Sequence, residues 1–185
     1  MDESKLIETK ISGKDVFCGK IMTVQLDIVR LPNGKEATRE LLRHKGAVCI
    51  LPLTENGEVI VEKQFRYPLN RVLLEIPAGK LDFVGEDPLE AAKRELREET
   101  GITAKKMTYM GEYIGSPAML DERIHMYLAE DFIYGECDYD EDEFMSLDRI
   151  PLEKLVEMIL NGEIADGKTQ AAVLRVYVMK NKDKI

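Results

Sequence analysis

Apolar and polar residues alternate along MTVQLDIVRL (22–31) with the two-residue period of a half-buried strand. The first 43 residues read as short strands at 6–11, 15–19, 20–31 and 35–42, the last two joined at Leu31-Pro32-Asn33-Gly34. They predict a small antiparallel sheet, too small to bury much surface alone, so its apolar positions imply that it pairs with something. Further along, 47–53 and 59–64 read as a hairpin about Glu55-Asn56-Gly57, and 71–76, 106–116 and 124–129 as strands. The pattern turns helical at 87–100, 151–161 and 168–179. Strands mixed with a few helices predict an α+β chain with a mixed sheet between helices, divided as 1–43 and 44–185.

The helix at 87–100 is the best specified. Asp87 suits the N-cap, Pro88 the first helical position, Glu90 an acidic capping pattern and Gly101 a left-handed stop. Turning 100° per residue, Leu89, Ala92 and Leu96 form the apolar stripe, with Glu95 and Glu99 along one edge and Glu98 a little further round. Glu90 and Arg94 have the four-residue spacing of a solvated ion pair. Glu95 and Glu99 are like charges at that same spacing, which costs a few tenths of a kcal/mol when exposed and more when desolvated. A bound cation would offset this. Carboxylates with no thiol or imidazole nearby suit a hard ion such as Mg²⁺ or Mn²⁺, and such ions usually serve phosphate substrates; the alternative from spacing alone is an acidic surface helix.

Composition narrows the partners. The 185 residues carry a formal net charge of -9 and no block of Lys and Arg, which argues against nucleic acid. An acidic chain that binds an anion needs local cations and a few arginines. Cys18, Cys49 and Cys137 are odd in number and show no CxxC spacing, so reduced thiols in a cytoplasmic protein are expected, not a disulfide framework. No run of 18 apolar residues suggests a membrane span, and the opening MDESKLIETK does not read as a signal peptide.

The segment GKLDFVGEDPLEAAKRELREETGI (79–102) resembles the Nudix box: a glycine, five residues, a glutamate, seven residues, then Arg-Glu-apolar-x-Glu-Glu-x-Gly-apolar. Gly79, Glu86, Arg94, Glu95, Leu96, Glu98, Glu99, Gly101 and Ile102 supply it, with six residues instead of five between Gly79 and Glu86. Pro117, fifteen residues beyond Ile102, and the runs TRELLRHKGAV, EKQFRYPLNRVLLEIPAGK and DYDEDEFMSL look like the ADP-ribose pyrophosphatase branch. The resemblance covers nearly the whole chain and is weakest before about Phe17.

What the resemblance implies is specific. The fold would be the Nudix α/β/α sandwich with a mixed sheet, preceded by the N-terminal antiparallel sheet, which in this branch is exchanged in a homodimer. The reaction would be Mg²⁺-dependent hydrolysis of ADP-ribose to AMP and ribose 5-phosphate, with Mn²⁺ as a substitute. Glu95, Glu98 and Glu99 would hold metal with the Ala78 carbonyl, and Arg94 would orient the carboxylates. The general base would come from the acidic loop 140–143, with Glu141 favoured and Glu143 positioning water or a further metal. Phe17, Arg39, Glu40, Arg66, Lys80, Glu122 and Arg123 would grip the substrate, Phe17 by stacking on adenine unless it is core, and the arginines through paired hydrogen bonds to phosphates. His44 and His125 read as structural. The longer box loop keeps a GDP-mannose type of nucleotide sugar as an alternative substrate; a non-catalytic ADP-ribose sensor is a further alternative, against which the intact box acids count.

Overall fold

In the computed structural model, which describes residues 2–138 and 144–182, the chain divides into two units, Met1–Gly46 with Ile114–Glu122, and Ala47–Tyr113 with Arg123–Ile185. The first unit holds an antiparallel sheet in the order β1 (Thr9–Cys18), β2 (Thr23–Arg30), β3 (Glu36–Arg43). The two strands expected at 6–11 and 15–19 are therefore one. Register shifts between Lys10 and Ser12 and between Asp15 and Phe17 absorb the irregular pattern, while Leu6 falls in a 3₁₀ turn, Glu3–Leu6, capped by Asp2. Gly13 pairs with Asp27 across the ladder, where a Cβ would come within 1.9 Å of Asp27 Oδ1, so a larger residue there would displace the carboxylate. Asp27 is itself buried, and Lys10 Nζ lies 2.8 Å from it. At the end of β3, Asp121 accepts from Arg43 at 3.0 Å and from the His44 amide at 2.9 Å, tying 114–122 into this unit.

The second unit is built on β4 (Ala47–Pro52), β5 (Glu58–Arg66), β6 (Arg71–Glu75), β7 (Ala78–Lys80), α1 (Pro88–Thr100), β8 (Ile102–Tyr113), β9 (Ile124–Tyr134), β10 (Met145–Pro151), α2 (Leu152–Leu160) and α3 (Gly167–Lys180). A mixed sheet runs β7-β4-β9-β8, with β4 and β9 parallel and the other pairs antiparallel; an antiparallel sheet runs β10-β5-β6. The hairpin expected of 47–53 and 59–64 does not form as a paired ladder. Its turn forms, with Gly57 at φ +81° and its amide on the Thr54 carbonyl, but after the single bridge Leu53 to Val59 the strands enter different sheets. The cause lies in β4, whose six residues are all buried: Val48 and Ile50 pack with α1 on one face, and Cys49 and Leu51 pack with α2 and α3 on the other. Only a central strand with helices on both sides buries such a run. β10 was not foreseen because MSLDRIP is mostly exposed and lacks the alternation of a half-buried strand. The chain is thus α+β, with α1 on one face of the mixed sheet and α2 and α3 on the other.

Charges also reach the interior. Glu75, 1% exposed at the end of β6, accepts from Arg66 Nε and Nη2 at 2.7 and 2.8 Å and from Lys168 Nζ, which also reaches Asp166 at 3.1 Å. Burial alone would raise the Glu75 carboxyl, but the Arg66 hydrogen bonds and then Lys168 outweigh it and hold it below the ordinary 4.5. Burial likewise pulls Lys168 down, yet Asp166 and Glu75 hold it above the ordinary 10.5.

The stabilisation from Glu75 is therefore full above the unfolded carboxyl value and is lost as pH falls through the lower folded one; that from Lys168 is full below 10.5 and is lost as pH rises through its raised value. Wild-type Tm should fall as pH is lowered from about 6 to 3, and Glu75→Gln should start lower and fall less steeply. Equal slopes in a thermal melt series would contradict this.

Candidate active site

α1 begins and ends where its sequence dictates. Asp87 accepts from the Leu89 amide at 2.9 Å, Pro88 occupies the first turn, and Gly101 closes the helix at φ +67° with its amide on the Arg97 carbonyl. Ala91, Ala92 and Leu96 are buried against the mixed sheet, and that seating brings the acidic edge onto β7. Gly79 in β7 lies directly against that edge: a Cβ there would lie 1.9 Å from the Glu95 carboxyl carbon and 2.1 to 2.2 Å from its oxygens. Only a residue without a side chain leaves Glu95 its place. One turn on, Glu99 is 3% exposed and accepts from the Ala78 amide at 3.0 Å.

Arg94 does not pair with Glu90, as the four-residue spacing suggests; Glu90 takes Lys93 at 2.7 Å. The guanidinium turns to the acidic side, 2.8 Å from Glu95, 3.3 Å from Glu98, 3.5 Å from Glu86 and 3.6 Å from Asp82, and it donates to the Lys80 carbonyl at 3.3 Å. Several carboxylates on one side outweigh a single exposed one on the other. Partial burial would lower the Arg94 pKa, but Glu95 first and then Asp82 and Glu86 hold it above its ordinary value. The additional residue of the box loop is taken up at the surface. Leu81 is buried and Glu86 accepts from the Asp82 amide at 2.7 Å, which fixes the ends, while Phe83 and Val84 between them are exposed and Gly85 turns at φ +90°.

Among the described residues, no three His, Cys, Asp or Glu side chains converge closely enough to enclose a cation: Glu95 and Glu98 lie against Arg94, and Glu99 against the Ala78 amide. The donor set is nonetheless all oxygen, carried on a well-anchored helix edge, and Gly79 leaves room for a carboxylate beneath the strand. That chemistry fits a hard divalent cation.

A NUDIX domain model matches residues 43–172, and a nucleoside diphosphate sugar hydrolase N-terminal domain model matches residues 8–42. The chain belongs to the Nudix family. It is 42% identical to an ADP-ribose pyrophosphatase of Bacillus subtilis, over 91% of each chain, and 40% identical to a methanol dehydrogenase activator of Bacillus methanolicus, over 91% of this chain and 92% of the other. A solved structure titled "Crystal structure of ADP compounds hydrolase" superposes with a TM-score of 0.82 over 97% of both chains at 22% identity, which establishes the fold.

The expected site residues of this Nudix protein fall in both units. Ala78, Lys80, Arg94, Glu95, Glu98 and Glu99 gather where β7 meets α1, with the Lys80 side chain exposed. Arg66 is held bidentately by Glu75, and Arg123 is exposed, 3.7 Å from Glu112. In the first unit, Phe17 is exposed and not core, Arg39 is paired with Glu8 at 2.9 and 2.5 Å, Glu40 is exposed, and Glu122 lies 3.1 Å from His44. Glu141 and Glu143 lie outside the described residues. Glu75, Asp166 and Lys168 are not marked by any motif; their one signal in the sequence is an acid inside the apolar run VLLEIPAG, which needs a cation when buried.

Gly79→Ala should displace Glu95 and lower stability by roughly 1 to 3 kcal/mol, the usual cost of overpacking. Chemical denaturation reads this directly, and an unchanged midpoint and slope would show that Glu95 does not need the space.

Proposed function

We propose that this Nudix protein hydrolyses ADP-ribose to AMP and ribose 5-phosphate with Mg²⁺, Mn²⁺ serving as a substitute. The observation that carries the reading is the 42% identity to an ADP-ribose pyrophosphatase over nine-tenths of both chains, joined to a box with every acid in place.

Glu95, Glu98 and Glu99, with the Ala78 carbonyl and Glu143, would hold the metal. Bound there, a divalent cation would neutralise charge on the diphosphate and lower the pKa of the attacking water. Arg94 does not touch the substrate; its contacts to Glu95 and Glu98 keep two like charges on one helix edge until they are needed. Glu141 would take the water's proton as general base, a role that asks little intrinsic basicity where a bound cation lowers the water's pKa. The anchoring of Asp138, which directly precedes 139–143 in sequence, supports this choice: its amide donates to the Glu98 carbonyl at 2.9 Å. Arg66, Arg39 and Arg123 suit the phosphates, Lys80 adds charge beside the box, Phe17 offers an exposed ring to adenine, and Glu40 and Glu122 suit sugar or base donors.

The chain acts as a homodimer through its N-terminal sheet, in residues 1–43, with 44–185 as the catalytic domain. Ile11, Val16, Phe17, Ile21 and Met22 stand between 43% and 57% exposed on or beside β1, more apolar surface than a lone three-stranded sheet usually leaves to water. Its setting is cytoplasmic, and its partner a small nucleotide sugar, not nucleic acid or a membrane. The charge of -9 and three free cysteines support this; among the described residues no helix is long and apolar enough to span a bilayer.

Glu99→Gln should lower kcat on ADP-ribose by roughly 10³-fold or more with the fold intact, and Glu141→Gln by about 10² to 10⁴-fold. Steady-state rates beside GDP-mannose check both the roles and the substrate: wild-type turnover in Glu99→Gln removes the metal assignment, and faster turnover of GDP-mannose moves the substrate. Light scattering should return twice the chain mass, and a monomer would contradict the dimer.

A further inference from the structure

One buried polar cluster meets the proposed chemistry only through Arg66, which Glu75 holds: the start of α3, where it meets residues 75–80, from the end of β6 through β7. The Thr169 hydroxyl is fully buried, accepts from the Ile76 amide at 2.9 Å and donates to Asp166 Oδ2 at 2.6 Å. The same Asp166 oxygen accepts from the Thr169 amide at 2.9 Å and from Lys168 Nζ at 3.1 Å, and Lys168 reaches on to Glu75, the residue before Ile76. Glu75, Ile76, Asp166, Lys168 and Thr169 therefore close a ring of hydrogen bonds and ion pairs across 93 residues of sequence.

Three residues beyond Ile76 the same segment enters the box. The Pro77 carbonyl accepts from the Ile50 amide at 2.8 Å, and the Ala78 amide, in the same peptide plane, donates to Glu99 at 3.0 Å. Gly79, next along, touches Glu95. With a planar peptide and a proline between them, few soft dihedrals separate the amide held by Thr169 from the one held by Glu99. A shift at Ile76 is therefore passed to Ala78 and Gly79.

We infer that Thr169 and Lys168 are positioning residues: from the far side of the strand they set the Ala78–Gly79 edge against which Glu95 and Glu99 are arrayed, and so set the affinity for the divalent cation. This rests on the proposed cation site. The hydroxyl is suited to the task because it is donor and acceptor at once, linking a backbone amide to the cap of α3.

The test is Mn²⁺ binding to the full chain, followed by the paramagnetic resonance of the free ion, in wild type, Thr169→Val, Thr169→Ser and Glu99→Gln. Thr169→Val keeps the volume and removes the hydroxyl. It should weaken Mn²⁺ binding roughly ten-fold, the low end of what losing a direct partner of a metal ligand costs, since Thr169 acts on Ala78 through the backbone from Ile76; it should raise by a similar factor the Mg²⁺ needed for half-maximal ADP-ribose hydrolysis, with kcat at saturation within about two-fold of wild type. Thr169→Ser should restore both. A folded Thr169→Val that binds Mn²⁺ like wild type, while Glu99→Gln has lost it, overturns the inference and leaves the cation site standing. Wild-type binding in Glu99→Gln overturns the site and the inference together. Should Thr169→Val fail to fold, Thr169→Ala gives the same readout, and a lowered Tm with unchanged Mn²⁺ affinity there makes Thr169 merely structural.

Discussion

The contact between Gly79 and Glu95 sets the terms for everything around it. A helix with Glu95, Glu98 and Glu99 along one edge can be seated on a sheet only if the neighbouring strand gives way, and Gly79 gives way by having no side chain. The rest of the local structure serves that approach. Ala91, Ala92 and Leu96 supply the apolar seat, Arg94 neutralises part of the like charge, and the Ala78 amide takes up Glu99. Each carboxylate thus has a protein partner in this arrangement, and binding a cation would exchange those partners for a stronger one.

The second unit also shows how charge is kept inside an apolar layer. Glu75 would be costly without Arg66 and Lys168, and with them it joins the end of β6 to the start of α3. The segment that follows runs from this buried ion cluster to the acidic helix within five residues. Two sets of charges, one closed to solvent and one on the edge of α1, are fastened to the two ends of one short piece of chain.

Much of this was legible in the sequence, and the exceptions have physical causes. The limits of α1 were readable because Asp87, Pro88 and Gly101 act locally, through their own side chains and dihedrals. The partners of β4 and β5 were not, because a turn at Glu55-Asn56-Gly57 says only that the chain reverses, while the burial of both faces of β4 decides which sheet it joins. β10 lacked a pattern because its exposed positions are not selected for alternation. Of the candidate site, spacing put Glu95, Glu98 and Glu99 near one helix edge, and the resemblance turned Arg94 toward them; spacing alone pointed Arg94 to Glu90, and the summed field of Glu95, Glu98, Glu86 and Asp82 outweighs that pair. Lys168 was invisible for the same reason: its partner Glu75 lies 93 residues away.

The most direct measurement is product analysis of ADP-ribose incubated with the purified protein and Mg²⁺ at about the 5 mM scale, with and without excess EDTA, since cation-assisted hydrolysis is the chemistry proposed for the α1 edge. Release of AMP and ribose 5-phosphate in equal amounts, abolished by the chelator, is the expected result. Tight binding of ADP-ribose without hydrolysis, or hydrolysis that EDTA leaves unchanged, would contradict it.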